Sequence, residues 1–177
     1  LHAMRAINQK SPFPLPIKIE EMLTENRPYI LVTGHRRENF GEGVRNICNA
    51  LAKIARVLPD AKLVYPVHLN PNVRGTAMER LSGIENVILV EPVPYAGFVR
   101  LLEASTVILT DSGGIQEEGA AIGKPVLIMR EVTERPEGIE GGSMLVGTDP
   151  ARITEVAVNT FRNPENRAAS TAFGEGY

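Results

Sequence analysis

An α/β fold, with helices on both faces of a parallel sheet, is predicted for this sequence by two observations. Short apolar runs alternate with segments of helical periodicity, and the runs are apolar almost throughout rather than at every second position. Strands that are buried on both faces have this pattern, because crossover helices cover each side of a parallel sheet. About six such runs predict a doubly wound, Rossmann-like sheet, whose ligands bind beyond the carboxyl ends of the strands.

The predicted strands occupy residues 29–33, 62–67, 87–90, 106–110, 125–129 and 143–146. Between them, residues 43–57 carry an apolar stripe at helical spacing, and Phe98, Leu101 and Leu102 form a similar stripe. Further helices are predicted over residues 71–81, 115–122 and 150–161. Asp149 is well placed to cap the last of these helices.

The length of 177 residues suits one domain with a sizeable core but not two full domains. We interpret residues 1–28 as an extended entry segment or linker, because three prolines fall within residues 11–17, with residues 1–4 a candidate cloning remnant. Residues 29–162 are the predicted Rossmann-like domain. Residues 163–177 are polar and are interpreted as a truncated tail.

Composition excludes several classes of function. A formal net charge of −2 without a long basic run argues against a nucleic-acid partner. The single cysteine, Cys48, excludes an internal disulfide and a thiolate-rich metal site, and it fits a cytoplasmic location. No apolar stretch approaches the roughly 20 residues of a membrane span. We therefore predict a cytoplasmic protein with no membrane or nucleic-acid partner.

The stretch TDSGGIQEE, residues 110–118, follows the fourth predicted strand. Its glycines allow a ligand to approach the backbone, and the amides at the start of the next helix favour a phosphate. Glu117 and Glu118, expected in the first turn of that helix, are either favourable charges against the helix dipole or acceptors for a ribose diol. A ligand that combines a diol with a phosphate uses both features, which indicates a nucleotide.

Two loops place histidines at the same edge of the predicted sheet. Residues 34–43 hold His35, Arg36 and Arg37, which could supply acid/base chemistry or bind phosphate, sulfate or carboxylate groups. The alternative is a solvated turn in which an arginine pairs with Glu38. In the loop at residues 67–74, His68 is equally compatible with a structural and a functional role.

Two further loops carry candidate ligand contacts. Tyr95 and Phe98 lie near a helix start and could stack on a flat ring, although periodicity favours Phe98 as a core residue. Residues 129–142 form a long polar loop that is either solvated, with internal ion pairs, or a wall for a sugar or phosphate. Arg135 is its best candidate for an anion contact.

Four blocks of sequence together resemble one family. They are GHRREN at 34–39, DSGGIQEE at 111–118, GKPVL at 123–127 and TERPE at 133–137. In this order and spacing they are similar to the non-hydrolysing UDP-N-acetylglucosamine 2-epimerases. The match runs from about residue 29 to 163, and it implies the C-terminal half of the two-domain fold called GT-B.

The resemblance implies a UDP-sugar site formed by Phe98, Ser112, Gly113, Gly114, Glu118 and Arg135. In the family, the glycine turn holds the diphosphate and Glu118 binds the ribose hydroxyls. Phe98 lies by the uracil, and Arg135 contacts the sugar or diphosphate side. His35 corresponds to an active-site histidine that is needed for activity, and we assign it a catalytic role. In some bacterial members a second, regulatory substrate molecule contacts residues that correspond to Arg36 and His68.

The family's reaction interconverts UDP-GlcNAc and UDP-ManNAc, for polysaccharide biosynthesis, by elimination and re-addition of UDP. The resemblance implies neither a cofactor nor a metal, and family members are commonly homodimers. Because the catalytic aspartate and two glutamates of the family lie on the N-terminal domain, we expect this chain to be a UDP-binding half that is inactive alone. The alternatives are the donor-nucleotide domain of a GT-B glycosyltransferase and a non-catalytic UDP-sugar-binding module.

Overall fold

A six-stranded parallel sheet is the centre of the computed structural model, which describes residues 1–34, 36, 39–132 and 143–164. The strands are β1 (Tyr29–Thr33), β2 (Lys62–Pro66), β3 (Val87–Val90), β4 (Val107–Thr110), β5 (Val126–Ile128) and β6 (Ser143–Leu145). Their order is β3-β2-β1-β4-β5-β6, and every neighbouring pair is parallel. Each predicted apolar run contains one strand, so the predicted fold class is confirmed.

Helices cover both faces of this sheet. They are α1 (His2–Lys10), α2 (Ile17–Thr24), α3 (Glu42–Val57), α4 (Pro71–Leu81), α5 (Tyr95–Ala104), α6 (Gly113–Ala121) and α7 (Pro150–Arg162). Side chains of α3, α4 and α7 share one buried cluster with the sheet, and α2, α5 and α6 pack into the cluster on the other face. The predicted cap of the last helix is confirmed, because the Asp149 carboxylate accepts a hydrogen bond from the amide of Arg152 at 2.8 Å.

The prediction that residues 1–28 are extended is wrong for most of this segment. Helices α1 and α2 occupy its two halves, and the proline-rich residues 11–16 connect them. Ile19 and Met22 are buried one turn apart, which fixes α2 on the sheet. The buried Asn8 fixes α1 by donating a hydrogen bond to the carbonyl of Ala96 at 2.8 Å. The prolines directly before α2 suggested an extended chain, and the helical spacing of Ile19 and Met22 is too short a pattern to predict a helix against them.

The order of the strands reverses between β1 and β4. The chain passes outward to β2 and β3 on one side, returns to β4, and then continues outward to β5 and β6. At the carboxyl ends of the two central strands, Thr33 and Thr110 are paired in register, and their hydroxyl oxygens lie 2.6 Å apart. The loops that follow β1 and β4 diverge from this point, which is where a doubly wound sheet binds its ligand.

Helix α6 lies very close to the sheet because of Gly119. A Cβ atom at this position would be 2.6 Å from Cγ2 of Val126 and 2.9 Å from Cδ1 of Ile108. Carbon atoms do not approach so closely, so any other residue would push the helix away from β4 and β5. The close packing fixes the height of the neighbouring Glu118 above the sheet.

The helices of the described part of the chain include none that is long and apolar enough to span a membrane.

Candidate functional site

Asp111 connects the loop after β1 to the end of β4. Its side chain is fully buried, and Oδ2 accepts hydrogen bonds from the backbone amide of Arg36 at 2.9 Å and from Nδ2 of Asn39 at 3.0 Å. Hydrogen bonds to an ionised carboxylate are stronger than those between neutral groups. Neither Asp111 nor Asn39 was among the site residues predicted from the sequence. A carboxylate directly after a fully buried strand was the available signal.

The turn at residues 112–114 leads directly from β4 into α6. Ser112 is the N-cap residue in an extended conformation, and its hydroxyl makes no capping hydrogen bond to the first turn of the helix. Its amide instead donates to Oγ1 of Thr110 at 3.0 Å. Gly113 is buried and Gly114 is exposed. A helix start without a side-chain cap is suited to an anion, because the first amides of a helix lack partners inside the helix.

Helix α6 begins at Gly113, two residues before the predicted start at residue 115. The first bond of the helix runs from the amide of Gln116 to the carbonyl of Ser112 at 3.0 Å. The first turn therefore contains no acidic residue, and the expectation that Glu117 and Glu118 lie there is wrong. Two adjacent glycines are poor helix formers, which is why the pattern placed the start too late. A favourable interaction with the helix dipole consequently does not explain the presence of Glu117 or Glu118, since the effect of the dipole falls off within one turn.

Glu118 has one engaged and one unpaired carboxylate oxygen. Oε1 accepts a hydrogen bond from the hydroxyl of Tyr95 at 2.7 Å. Oε2 is buried and has no hydrogen-bond partner among the described residues. The same hydrogen bond raises the pKa of Tyr95 to about 12, because it stabilises the protonated hydroxyl. A buried acceptor without a partner is costly, and a ligand hydroxyl that reaches Oε2 would remove that cost.

Phe98 lies in the first turn of α5, where its amide donates to the carbonyl of Pro94 at 2.9 Å. The ring is partly buried and packs against the cluster shared by α2, α5 and α6. One side of the Phe98 ring is thus part of the core, as the periodicity predicted. The other side is exposed at the carboxyl edge of the sheet, where the predicted contact with a nucleobase would be made.

Arg36 and His68 follow neighbouring strands, since β2 lies beside β1. Arg36 is half-buried, and its backbone is fixed by the bond to Asp111. His68 is exposed, and its Nδ1 accepts a hydrogen bond from the amide of Asn70 at 3.1 Å. Asn70 in turn caps α4. Arg36 and His68 therefore lie in loops that leave the sheet at neighbouring strand ends.

His35 and Arg135 lie outside the described residues, as do Arg37, Glu38, residues 133–142 and the tail from residue 165. The described residues at the start of the polar loop 129–142 line a cleft of about 480 Å³, together with Asn39, Asn46 and Thr148. Glu131 forms part of its wall and accepts hydrogen bonds from the amide and hydroxyl of Thr148 at 2.8 Å and 2.5 Å. Within the described ranges, no group of three or more His, Cys, Asp or Glu side chains could hold a metal ion.

Residues 3–177 match the UDP-N-acetylglucosamine 2-epimerase family. The chain belongs to this family. The probable UDP-N-acetylglucosamine 2-epimerase of Ralstonia nicotianae is 54% identical over 150 residues, which are 84% of this chain and 39% of that protein. The UDP-N-acetylglucosamine 2-epimerase of Escherichia coli K12 is 48% identical over 171 residues, covering 90% and 46% of the two chains.

A solved relative shares the fold of this epimerase-family chain. The crystal structure of UDP-GlcNAc 2-epimerase from Neisseria meningitidis bound to UDP-GlcNAc superposes with a TM-score of 0.78 at 41% identity, over 94% of this chain and 43% of that one. The chain therefore spans less than half the length of the relatives that it matches. The predicted family and the prediction of half a GT-B fold are confirmed.

Proposed function

We propose that this chain is the UDP-binding domain of an enzyme that interconverts UDP-GlcNAc and UDP-ManNAc. The observation that carries the proposal is the unpaired, buried Oε2 of Glu118 on a helix whose start has no side-chain cap. One feature calls for a hydrogen-bond donor and the other for an anion. A nucleoside diphosphate presents both groups.

The spacing of the two features suits such a ligand. Gly113 and Glu118 are five residues apart on α6, which corresponds to about 7.5 Å along the helix axis. This is the length scale that separates the ribose hydroxyls from the diphosphate within one nucleotide. In the proposed complex, the amides of Gly113 and Gly114 and the hydroxyl of Ser112 bind the diphosphate, while Glu118 accepts from the ribose. Phe98 lies by the uracil.

The proposed reaction requires a base and a stabilised leaving group. A base removes the proton from C2 of the sugar, the bond between C1 and the UDP oxygen breaks, and a 2-acetamidoglucal is formed. UDP then adds again to C1, and C2 receives a proton on the opposite face. This chain supplies the second requirement, since the amides of the turn stabilise the charge on departing UDP. By the family resemblance, His35 acts at the reaction centre and Arg135 on the sugar or diphosphate.

The base at C2 is proposed to come from carboxylates outside this chain, in the N-terminal domain of the family, so the chain alone binds UDP without turnover. Arg36 and His68, at adjacent strand ends, are candidates for a second substrate site in the complete enzyme. A cytoplasmic location is the expected one, since a chain with a single cysteine does not depend on an internal disulfide. A glycosyltransferase is disfavoured, because the relatives with 48% and 54% identity carry the epimerase name.

Calorimetric titration of UDP into the purified chain tests the proposal. Glu118→Ala removes the ribose acceptor and is expected to weaken binding at least about tenfold, since a hydrogen bond to a charged group contributes about 1.5–3 kcal/mol. Glu117→Ala is the matched control, because it removes the adjacent, exposed carboxylate of the same helix. We expect less than about a threefold effect from this control, because the proposed complex assigns the ribose contact to Glu118 and not to Glu117.

Equal affinities of the two variants would refute the assignment of Glu118 to the ribose. Turnover is tested separately by incubating the chain with UDP-GlcNAc and following the anomeric proton by NMR. Formation of UDP-ManNAc by the chain alone would contradict the assignment of the base to another domain.

A further inference from the structure

The contact between Tyr95 and Glu118 joins the two halves of the sheet. Tyr95 begins α5, which follows β3 at one edge, and Glu118 lies on α6, which follows the central strand β4. Their hydrogen bond of 2.7 Å therefore spans the boundary between β1 and β4, where the order of strands reverses. Phe98 on α5 and Ile115 on α6 pack against one apolar cluster, so both helices are fixed on the same face of the sheet.

The two oxygens of Glu118 have different environments because of this contact. The Tyr95 hydroxyl donates to Oε1, whereas Oε2 is buried and has no partner in the part of the chain that the structure describes. A glutamate side chain on a helix surface otherwise samples several rotamers, and ordering it costs conformational free energy. A bond from a second helix fixes the carboxylate before any ligand arrives, and preorganisation of this kind raises affinity by reducing the ordering cost of binding.

Tyr95 is itself exposed to 44%, so burial of its ring does not explain its position. It makes its hydrogen bond at the rim of the proposed site, on the first residue of α5 and one turn before Phe98. The hydroxyl is protonated across the neutral pH range and donates to Glu118, and this bond raises the pKa of Tyr95 to about 12. The rim location and the donor role fit a residue that orients Glu118 toward a ligand.

We propose that Tyr95 is a positioning residue that holds the Glu118 carboxylate with Oε2 directed to a ribose hydroxyl, and thereby gives the site its preference for ribonucleotides over deoxyribonucleotides. The proposal rests on the proposed function, because it assumes that Glu118 binds the ribose. To the proposed UDP site it adds one residue, Tyr95, and a preference for ribonucleotides that depends on the hydroxyl group of that residue. The site is expected to bind 2′-deoxy-UDP more weakly than UDP, since a buried acceptor that loses its donor is penalised.

The experiment measures the affinities of the chain for UDP and 2′-deoxy-UDP by calorimetry, in the unsubstituted chain and in Tyr95→Phe, Glu118→Ala and the double variant. Tyr95→Phe keeps the ring and removes only the hydroxyl. We expect it to weaken UDP binding about three- to tenfold and to reduce the ratio of the two affinities toward one. In the Glu118→Ala background the same change is expected to have no further effect, since the residues act as one unit.

The hydrogen bond between Tyr95 and Glu118 can also be detected without a ligand, by following the ionisation of the tyrosines with ultraviolet absorbance as the pH is raised. In the unsubstituted chain, one tyrosine accessible to solvent is expected to ionise with a pKa of about 12, and Glu118→Gln should return it toward the ordinary value of 10.0. Tyr95→Phe should remove this titration step. Unchanged ionisation in Glu118→Gln would overturn the proposal, because it would mean that the contact is absent in solution.

The outcomes separate the two proposals. If Glu118→Ala weakens UDP binding and lowers the preference for ribose while Tyr95→Phe does neither, the role of Tyr95 is refuted and the ribose role of Glu118 stands. If Tyr95→Phe weakens both nucleotides equally, Tyr95 contributes to general structure or stacking and the positioning role is refuted. If UDP does not bind the unsubstituted chain at millimolar concentration, both proposals fail.

Discussion

Replacing Asp111 with asparagine is the most direct way to test how the loop after β1 is held. The side chain keeps its shape but loses its charge, in a position that is 0% exposed. Among the described residues, two donors converge on Oδ2, namely the amide of Arg36 at 2.9 Å and Nδ2 of Asn39 at 3.0 Å. Asparagine can satisfy both only by directing its single oxygen at them, and it then accepts two neutral hydrogen bonds in place of two charge-assisted ones.

The expected cost follows from the difference between these two kinds of hydrogen bond. A bond to a charged group contributes about 1.5–3 kcal/mol and a neutral one about 0.5–1.5 kcal/mol, so the loss is about 1–1.5 kcal/mol for each donor. Two donors give a decrease of about 2–3 kcal/mol in the free energy of unfolding of Asp111→Asn. For a chain of this size the midpoint of thermal unfolding should fall by about 4–12 °C.

Urea denaturation followed by circular dichroism measures this loss, with unchanged m-values as the check on two-state behaviour. Asp149→Asn is the matched control, since it makes the same chemical change at an exposed helix cap, where asparagine caps as well as aspartate. The control is expected to stay within about 0.5 kcal/mol of the unsubstituted chain. If Asp111→Asn is no less stable than this control, Asp111 is not the anchor that the geometry indicates.

Two further predictions concern packing and pH. Gly119→Ala should lower the free energy of unfolding by about 1–3 kcal/mol in the same denaturation experiment, because the new Cβ would lie 2.6 Å from a methyl group of Val126. The control is Gly75→Ala, which should be neutral or stabilising, since a Cβ at that position would have no heavy atom within 4 Å. Equal effects of the two substitutions would contradict the close packing of α6. The hydrogen bond from Arg100 lowers the pKa of Glu20 below its usual value of 4.5, so its contribution to stability is present above pH 4.5 and is lost as the pH falls through the lower, folded-state pKa. Thermal melts across the acid range should show a flatter decline for Glu20→Gln, and an unchanged decline would show that another group controls it.

The sheet could be predicted from the sequence because each strand is a local apolar run. The helices α1 and α2 could not, since α1 is held against α5 and α2 is packed on the sheet, and the prolines between them suggested an extended chain. The start of α6 was placed too late for a similar reason: two glycines disfavour a helix, yet the adjacent strand and the close packing at Gly119 impose one.

The candidate site was predictable only in part, because some of its residues are close in sequence and others are brought together only by the fold. The glycine turn and Glu118 are neighbours in sequence, so a local pattern was enough to relate them. The contacts that organise them connect residues far apart: Tyr95 and Glu118 are separated by 23 positions, and Asn39 and Asp111 by 72. Periodicity carries no information on such pairs, and they became evident only when the strands were placed in order.

The use of UDP as the probe ligand decides between two roles that Glu118 could have. An unpaired carboxylate oxygen near a sugar nucleotide is chemically suited either to accept from the ribose or to remove the proton from C2 of the hexose. UDP has no hexose, so a contact with the sugar contributes nothing to its affinity. If Glu118→Ala weakens UDP binding about tenfold, the loss must come from the nucleotide itself, and the ribose role explains it. If UDP binds both proteins equally but the complete enzyme loses turnover with the same substitution, Glu118 acts on the hexose instead.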